Sequence, residues 1–245
     1  MVAAMLRWAL AISGLAACAA DGPAAGPRDL ARPAKPPARS RAAASNMPRG
    51  FTWPPSRAML AAEADCEREL TAANIAWKPA SREGHIADAI TIDDGMLGGI
   101  AYRPVYGKGP YKLAYKLAYK LDCQLARALH EVGPVLAAAG VREVRFGSIY
   151  RWSNVRVLGK TKNALSRHAL GLAIDVVSFV GADGREARVA TDYLAGDLLL
   201  HAVEQAINDS GAFRLVLTPK NDPLSHHDHF HLEANPTYAI VPPRS

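Results

Sequence analysis

The chain has 245 residues, of which 49% are hydrophobic and 21% charged, and a formal net charge of +6 at pH 7. The basic excess lies at one end: residues 1–50 carry seven Lys/Arg against two Asp/Glu, whereas residues 51–245 carry 22 against 21. The larger part is therefore almost neutral, which argues against a nucleic-acid-binding domain. Its length suffices for one domain with a substantial core.

Residues 1–17 have the composition of a secretion signal. Arg7 is their only charged residue, and an apolar run from Trp8 to Leu15 leads to small residues and Cys18. The run is too short for a permanent membrane-spanning helix. The tetrapeptide ending at Cys18 resembles a bacterial lipobox, which implies lipid attachment to this sulfur; an ordinary signal peptide with a chance Cys is the alternative. Ala19, where Asp would imply inner-membrane retention, points to the periplasmic face of the outer membrane.

Residues 18–50 cannot form a hydrophobic core. They contain six Pro and ten Ala, but no aromatic residue, Val or Ile. Pro-rich chain extends by roughly 3.1 Å per residue, so this segment reaches about 100 Å at most. We predict a disordered tether here, followed by one folded domain over residues 51–245.

The first elements predicted in that domain are a helix and two strands. Residues 56–73 have a suitable N-cap in Ser56, and their apolar residues follow helical spacing. These apolar residues are Met59, Leu60, Cys66 and Leu70. Residues 86–92 and 99–105 are short apolar segments separated by Asp93-Asp94-Gly95, which is typical of a turn.

A four-residue repeat, Tyr-Lys-Leu-Ala, occupies residues 111–121. On a helix this period places Leu113, Leu117 and Leu121 on one side. We predict that the helix continues until Pro134 bends or ends it. Local duplication explains the repeat, and a Tyr/Lys stripe that contacts sugar or lipid is the alternative.

Cys66 and Cys123 are the two cysteines that remain if Cys18 is lipidated. An even pair in an oxidising periplasm predicts a disulfide, with two buried free thiols as the alternative. Closing this 57-residue interval would stabilise the fold by roughly 4 kcal/mol.

The sequence of the second half of the domain predicts mostly strands. They cover residues 141–151, 171–179, 214–218 and 229–233, with a helix over 192–210 that Gly211 ends. Strands and helices follow one another without a regular βαβ repeat. The predicted fold class is therefore α+β, with a mainly antiparallel sheet flanked by helices.

Two histidine-containing motifs carry the candidate chemistry. In the last strand, the period of two places His229 and His231 on one face. Upstream, Gly171 permits a sharp turn between His168 and the strand that carries Asp175. Two imidazoles and a carboxylate are the donor set of an open catalytic zinc site, with one imidazole to spare. The sequence predicts a Zn²⁺ cofactor and a metal-dependent hydrolase.

The spacing of these motifs resembles that of known zinc peptidases. Ser166-x-His168-x-x-Gly171-x-Ala173-x-Asp175 followed by His229-x-His231 is similar to the lysostaphin, D-Ala-D-Ala metallopeptidase and hedgehog group. More closely, the chain resembles the bacterial extensin-like C-terminal domain family, strongly at 166–175 and 226–233 and weakly from about 60 to 235. It lacks the extra cysteines that these domains often carry near Tyr150-Arg151 and before the last motif. Its disulfide framework is therefore not implied by the resemblance.

The resemblance implies a role for each matching residue. His168, Asp175 and His231 correspond to the zinc ligands. His229 corresponds to the general base, or to the group that stabilises the oxyanion. Arg151 corresponds to an Arg that binds substrate or the developing oxyanion, with an exposed ion-paired Arg as the alternative.

Neighbouring polar residues are expected to support these groups. His226 matches a His of the extensin-like pattern and is expected to orient a ligand or the substrate. Ser166 is expected to bond near His168, with a simple turn Ser as the alternative. Asp228 is expected to point away from the metal face, Glu233 to share it, and His227 to be an exposed bystander.

These features together predict a periplasmic, lipid-anchored zinc peptidase that hydrolyses amide bonds in the stem peptides or cross-links of peptidoglycan. Its expected partners are peptidoglycan and, through the lipid anchor, the membrane. A zinc-stabilised wall-binding lipoprotein without turnover is the alternative, because hedgehog relatives use the same framework in signalling. A metal-dependent amidase or hydrolase acting on another periplasmic substrate is a third possibility.

Overall fold

The computed structural model describes residues 46–106, 112–113, 119–157 and 159–239. The predicted signal, Cys18 and most of the predicted tether lie outside these ranges. Asn46, assigned to the tether, donates a side-chain hydrogen bond to the carbonyl of Leu165 at 2.9 Å. Contacts with the folded domain thus begin before residue 51. No helix in the described ranges has both the length and the apolar composition needed to span a bilayer.

Four helices are described, and their capping residues explain where the longer ones begin. They are α1 (Arg57–Ala72), α2 (Cys123–Ala138), α3 (Val189–Asp192) and α4 (Leu198–Ser210). Helix α1 begins where predicted because the Ser56 hydroxyl accepts a hydrogen bond from the Met59 N–H at 3.2 Å. Helix α4 ends at Gly211, as predicted, in a left-handed conformation with φ of 66°.

The strands form one large sheet and two small ones. They are β1 (Trp77–Pro79), β2 (Ala89–Ile92), β3 (Met96–Leu97), β4 (Ile100–Tyr106), β5 (Lys112–Leu113), β6 (Leu121–Asp122), β7 (Val141–Ser148), β8 (Asn154–Val157), β9 (Lys160–Leu165), β10 (Ala173–Gly181), β11 (Glu186–Arg188), β12 (Phe213–Leu217) and β13 (Phe230–Ala234). The main sheet runs β12-β13-β10-β7-β4-β3, with β11 paired to β10 and β5 to β4. Its described pairs are antiparallel except β4–β7. The predicted α+β class with a mainly antiparallel sheet is confirmed.

The predicted helix over residues 111–134 is wrong where its first part is described, and it is confirmed from residue 123 to 134. Lys112–Leu113 and Leu121–Asp122 are strands, and Leu117 lies outside the described residues. Helix α2 begins only at Cys123 because extended Asp122 caps it, its carboxylate accepting a hydrogen bond from the Gln124 N–H at 3.0 Å.

Pro134 lies inside helix α2 and does not end it. A proline removes the hydrogen bond that the carbonyl four residues earlier would accept, here that of His130. This carbonyl faces Gly98: a Cβ at Gly98 would lie 2.2 Å from its oxygen. Gly98 in turn donates its N–H to the His130 Nδ1 at 3.0 Å. Close packing against β3 therefore holds the helix together across the proline.

Two other predicted boundaries shift. Strand β7 ends at Ser148 rather than at residue 151. The helix predicted over 192–210 is interrupted, because Gly196 takes a left-handed φ of 86° and Asp197 caps α4 by accepting a hydrogen bond from the Leu200 N–H at 3.1 Å.

A disulfide joins helices α1 and α2. Cys66 and Cys123 are bonded, as predicted, and both are buried beside the main core. Helix α2 contributes nine buried residues and packs on the sheet as well as on α1 and α4. The prediction that strand β10 is largely buried is also confirmed.

Helix α1 buries a carboxyl group. Its inner stripe is Met59, Glu63, Cys66 and Leu70, whereas Leu60, another apolar residue of the predicted helix, is 48% exposed. Glu63 accepts a hydrogen bond from the Gln124 side chain at 3.3 Å. Burial, reinforced by the nearby charge of Asp122, raises the pKa of Glu63 to about 10. Folded protein therefore holds a proton here that the unfolded chain releases above its ordinary pKa of 4.5.

Glu63→Gln is expected to stabilise the protein at pH 8 by on the order of 2 kcal/mol. Because the folded-state pKa is the higher one, wild-type stability falls as pH rises from about 4.5 towards 10, and an uncharged amide removes that slope. Urea unfolding at pH 4.5, 6 and 8 measures the free energy of unfolding of both proteins. Glu69→Gln, an exposed change on the same helix, serves as the control. Parallel pH profiles of wild type and Glu63→Gln would contradict the expectation.

Candidate metal centre

Asp175 occupies the middle of the site because of strand register. It lies on β10, where its neighbours across the sheet are His231 on β13 and Ser148 on β7. The Ser148 hydroxyl donates to Asp175 Oδ2 at 2.8 Å, while His231 Nδ1 lies 2.9 Å from Asp175 Oδ1. Antiparallel pairing thus brings together residues 56 positions apart in the chain.

A tight turn brings His168 to the same point. It lies in a 3₁₀ turn, Arg167–Leu170, that Ser166 caps by accepting a hydrogen bond from the His168 N–H at 3.3 Å. Gly171 follows with φ of 67°, and a Cβ there would lie 2.8 Å from the backbone nitrogen of Asp122. Only glycine satisfies both the conformation and the close approach.

Three donor atoms converge at this point. His168 Nε2 lies 3.0 Å from Asp175 Oδ1 and 3.2 Å from His231 Nδ1. With the 2.9 Å contact between His231 and Asp175, these atoms form a set within 4.8 Å of one another, and all three residues are buried. The sequence predicted this trio as the metal ligands.

The outer nitrogen of each imidazole determines which way its lone pair points. His168 Nδ1 faces the carbonyl of Ile149 at 2.5 Å, and a carbonyl can only accept, so this nitrogen carries the proton. His231 Nε2 faces Glu233 Oε1 at 3.0 Å and donates to it in the same way. Both inner nitrogens are then ligand atoms, as in metal sites whose histidines are oriented by an outer hydrogen bond.

The three groups of the trio change one another's ionisation. Burial alone would raise the pKa of Asp175, but the two imidazoles hold it well below 3.8. Burial opposes charging of His231, yet Asp175 and Glu233 raise its pKa to about 9. In metal-free protein a proton on His231 therefore separates two nitrogens 3.2 Å apart. Two neutral imidazoles and one carboxylate would hold a divalent ion at the same place, and its uptake would release that proton.

His229 lies beside the trio without joining it. Its Nδ1 donates to Asp228 Oδ1 at 2.7 Å, and its Nε2 points inward, 3.4 Å from Asp175 Oδ1. That Nε2 is buried and has no hydrogen-bond partner among the described residues. Asp228, expected to point away from the metal face, is half exposed and binds the outer nitrogen of His229. The arrangement leaves one imidazole nitrogen free to accept a proton at the edge of the site.

Arg151 contacts the trio from the solvent side. Its Nη2 donates to Asp175 Oδ2 at 3.0 Å, and its side chain is half exposed at the cleft. The ion-paired, partly exposed Arg that was the alternative interpretation is observed, and binding of substrate or the oxyanion stays a prediction.

His226 forms a buried pair that sequence reasoning did not foresee. Its Nδ1 donates to Asp222 Oδ2 at 3.0 Å, and its ring centre lies 5.2 Å from that of His231. Burial, then the proximity of His231 and His229, lowers the pKa of His226 to about 4. The ring is therefore neutral at pH 7. Asp222 gave no signal in the sequence because a loop, not a helix or strand, brings it to His226.

Glu233 links the site to the cleft wall. It accepts from His231 and forms an ion pair with Arg214, which also donates to Asn46 Oδ1 at 3.1 Å. The alternation of side chains along the last strand predicted that Glu233 lies on the metal face. Its partner Arg214 on β12 could not be predicted, because only the tertiary fold brings the two residues together.

Glu233→Gln is expected to weaken zinc binding by about 10- to 100-fold. An amide accepts more weakly than a carboxylate, so the proton on His231 Nε2 and the orientation of the ring are held less firmly. Competition with a chromogenic chelator measures the affinity. The matched control is Glu186→Gln, a carboxylate on β11 that pairs with Arg145. Equal zinc affinity in wild type and Glu233→Gln would show that His231 needs no outer partner.

A cleft of about 620 Å³ opens over the trio. The hairpin β8–β9 forms one wall, and residues 214–217 and 225–233 contribute to the other. At the hairpin base, Ser166 N–H donates to the carbonyl of Ser153 at 2.9 Å. At its tip, Gly159 N–H donates to Ser225 Oγ at 2.9 Å. The first bond closes the base of the hairpin, and the second joins its tip to the opposite wall.

A second group of possible donors in the described part of the chain is not available to a metal ion. Glu63, Cys66 and Cys123 also lie together, but the two sulfurs are bonded to each other. The His227 side chain is 70% exposed, in agreement with its assignment as a bystander.

Comparison with known proteins gives one match. A family model described as extensin-like protein C-terminus matches residues 64–240, more than half of the chain, and the match contains the trio, His229 and Arg151. No curated protein and no solved structure matches the chain.

Proposed function

Because the chain belongs to the extensin-like protein C-terminus family, we propose that it is a periplasmic zinc-dependent peptidase. Its substrates would be amide bonds in the stem peptides or cross-links of peptidoglycan. The proposal includes a relationship to the lysostaphin, D-Ala-D-Ala metallopeptidase and hedgehog group, through the motif at 166–175 and the pair His229 and His231.

One observation carries the proposal: three buried donors converge, and an unpartnered imidazole nitrogen lies beside them. His168, Asp175 and His231 are the residues that would hold Zn²⁺. When bound, zinc with three protein ligands supplies Lewis-acid chemistry, polarising a carbonyl and lowering the pKa of a bound water towards about 7. A purely structural zinc site usually has four protein ligands, so the donor number favours catalysis.

The chain's own residues then handle protons and charge. His229 Nε2 faces the site and accepts the proton of the attacking water, with Asp228 stabilising the resulting imidazolium. Arg151, half exposed at the cleft, stabilises negative charge that develops on the amide oxygen. Returning the proton from His229 to the leaving amine completes hydrolysis.

The cell-wall assignment is supported by the predicted export of the chain. A signal over residues 1–17 and lipidation at Cys18 would anchor the protein at the periplasmic face of the outer membrane. A tether over residues 18–50 would let the domain reach the wall from that anchor.

His229→Ala is expected to keep stoichiometric zinc and to lower kcat by at least about 100-fold, because His229 is outside the donor set but supplies the base. Zinc content by atomic absorption and muropeptide release by mass spectrometry measure the two effects. His227→Ala, an exposed change two residues away, should alter neither. Undiminished turnover in His229→Ala would remove this residue from the mechanism.

Digestion of purified sacculi tests the function itself. The zinc-loaded protein is expected to release peptide fragments whose masses identify the bond cut, and a chelator should abolish release. Zinc binding without cleavage of any wall peptide would reject the peptidase and leave the zinc-stabilised wall-binding lipoprotein.

A further inference from the structure

The cleft is lined by more arginine side chains than carboxylates. Its carboxylates are Asp175 and Glu233, and both are engaged, the first by the imidazoles and Arg151, the second by His231 and Arg214. Arg156 also lines the cleft, and no acidic partner for it exists among the described residues. A cleft with one uncompensated guanidinium attracts an anionic ligand, and a bound divalent cation strengthens that attraction.

The hairpin β8–β9 determines the position of the Arg156 backbone. Arg156 pairs with Thr161 across β8–β9, and the register shifts between Asn154 and Arg156. Such an irregularity changes the alternation of side chains, and Asn154, Val155, Arg156 and Val157 all line the cleft. Bonds at the base and the tip hold the hairpin, so the Arg156 side chain extends from a positioned backbone.

We infer that Arg156 is a specificity-determining residue that binds a carboxylate of the substrate in this cleft. This inference rests on the proposed function and names its substrate class: wall peptides with a free carboxylate, as opposed to those in which it is amidated. A guanidinium fork pairs with a carboxylate through two charge-assisted hydrogen bonds, whereas a carboxamide offers one neutral acceptor and a donor that the fork cannot use.

The test compares two stem peptides that differ only in carboxylate against carboxamide. Wild-type protein is expected to prefer the carboxylate by about 10- to 100-fold in kcat/KM, mainly through KM. Arg156→Gln should bring this ratio close to one and leave kcat and zinc content unchanged. Arg156→Lys, which keeps the charge but loses the fork, should fall between them. Lys162→Gln, on the same hairpin but outside the cleft lining, should behave as wild type.

Binding separates this inference from the peptidase proposal. In a His229→Ala background, where turnover is blocked, calorimetry gives Kd for both peptides with and without Arg156→Gln. A carboxylate preference that depends on Arg156 supports the inference even if sacculi are not digested. The inference is overturned if Arg156→Gln keeps the preference, if it weakens both peptides equally, or if neither peptide binds.

Discussion

His168→Ala is expected to abolish both zinc retention and peptide hydrolysis. His168 is completely buried, and its Nε2 lies within 3.2 Å of the other two donors. Removing it leaves one imidazole and one carboxylate, too few protein ligands for the three-donor set of a catalytic zinc site. We expect substoichiometric zinc after dialysis and no measurable release of muropeptides.

The control for this variant is His227→Ala, which removes an exposed imidazole from the histidine-rich stretch 226–231. Far-UV circular dichroism of both variants shows whether the fold survives, because His168 also bonds the carbonyl of Ile149. A folded His168→Ala protein with one tightly bound zinc would mean that the ion lies elsewhere.

The double change Cys66→Ala and Cys123→Ala is expected to lower the free energy of unfolding by about 4 kcal/mol. The disulfide closes a 57-residue interval, and its loss enlarges the conformational freedom of the unfolded chain. Alanine avoids placing unpaired hydroxyls in the core, where both sulfurs are buried. Urea unfolding of oxidised wild type and the double variant measures the difference.

Reduction of the wild type provides an independent comparison. A reducing agent should destabilise the wild type by a similar amount and leave the double variant unaffected. If stability is unchanged on both routes, the packing of α1 against α2, rather than the covalent bond, holds these helices together.

The sequence predicted the residues of the candidate site more completely than it predicted the helices and strands. Alternation along the final strand put His229 and His231 on one face, and Gly171 indicated the turn that returns His168 to Asp175. These signals are local, and period-two geometry is reliable within a buried strand. The partners that orient the donors were not predictable: the carbonyl of Ile149, Ser148 and Arg214 arrive from other parts of the fold.

The helix around Leu113 and Leu121 shows where local pattern fails. A period of four is typical of a helix, but Leu121 pairs with Ile90 on β2 and therefore lies in a strand. Likewise, a proline taken by itself predicts the end of a helix at Pro134. Helix α2 continues past this residue, where Gly98 packs closely against it. In both cases distant contacts outweigh intrinsic propensity, and no window of neighbouring residues contains that information.

The hairpin β8–β9 also decides what shape of molecule can approach the donors. Since its tip is bonded to Ser225 on the other wall, the opening beneath it is a slot that is closed at that end. A slender, extended polymer strand can slide lengthwise into such a slot, but a peptide bond inside a globular neighbour cannot. For the proposed peptidase, an entrance of this shape would favour extended wall peptides over folded proteins.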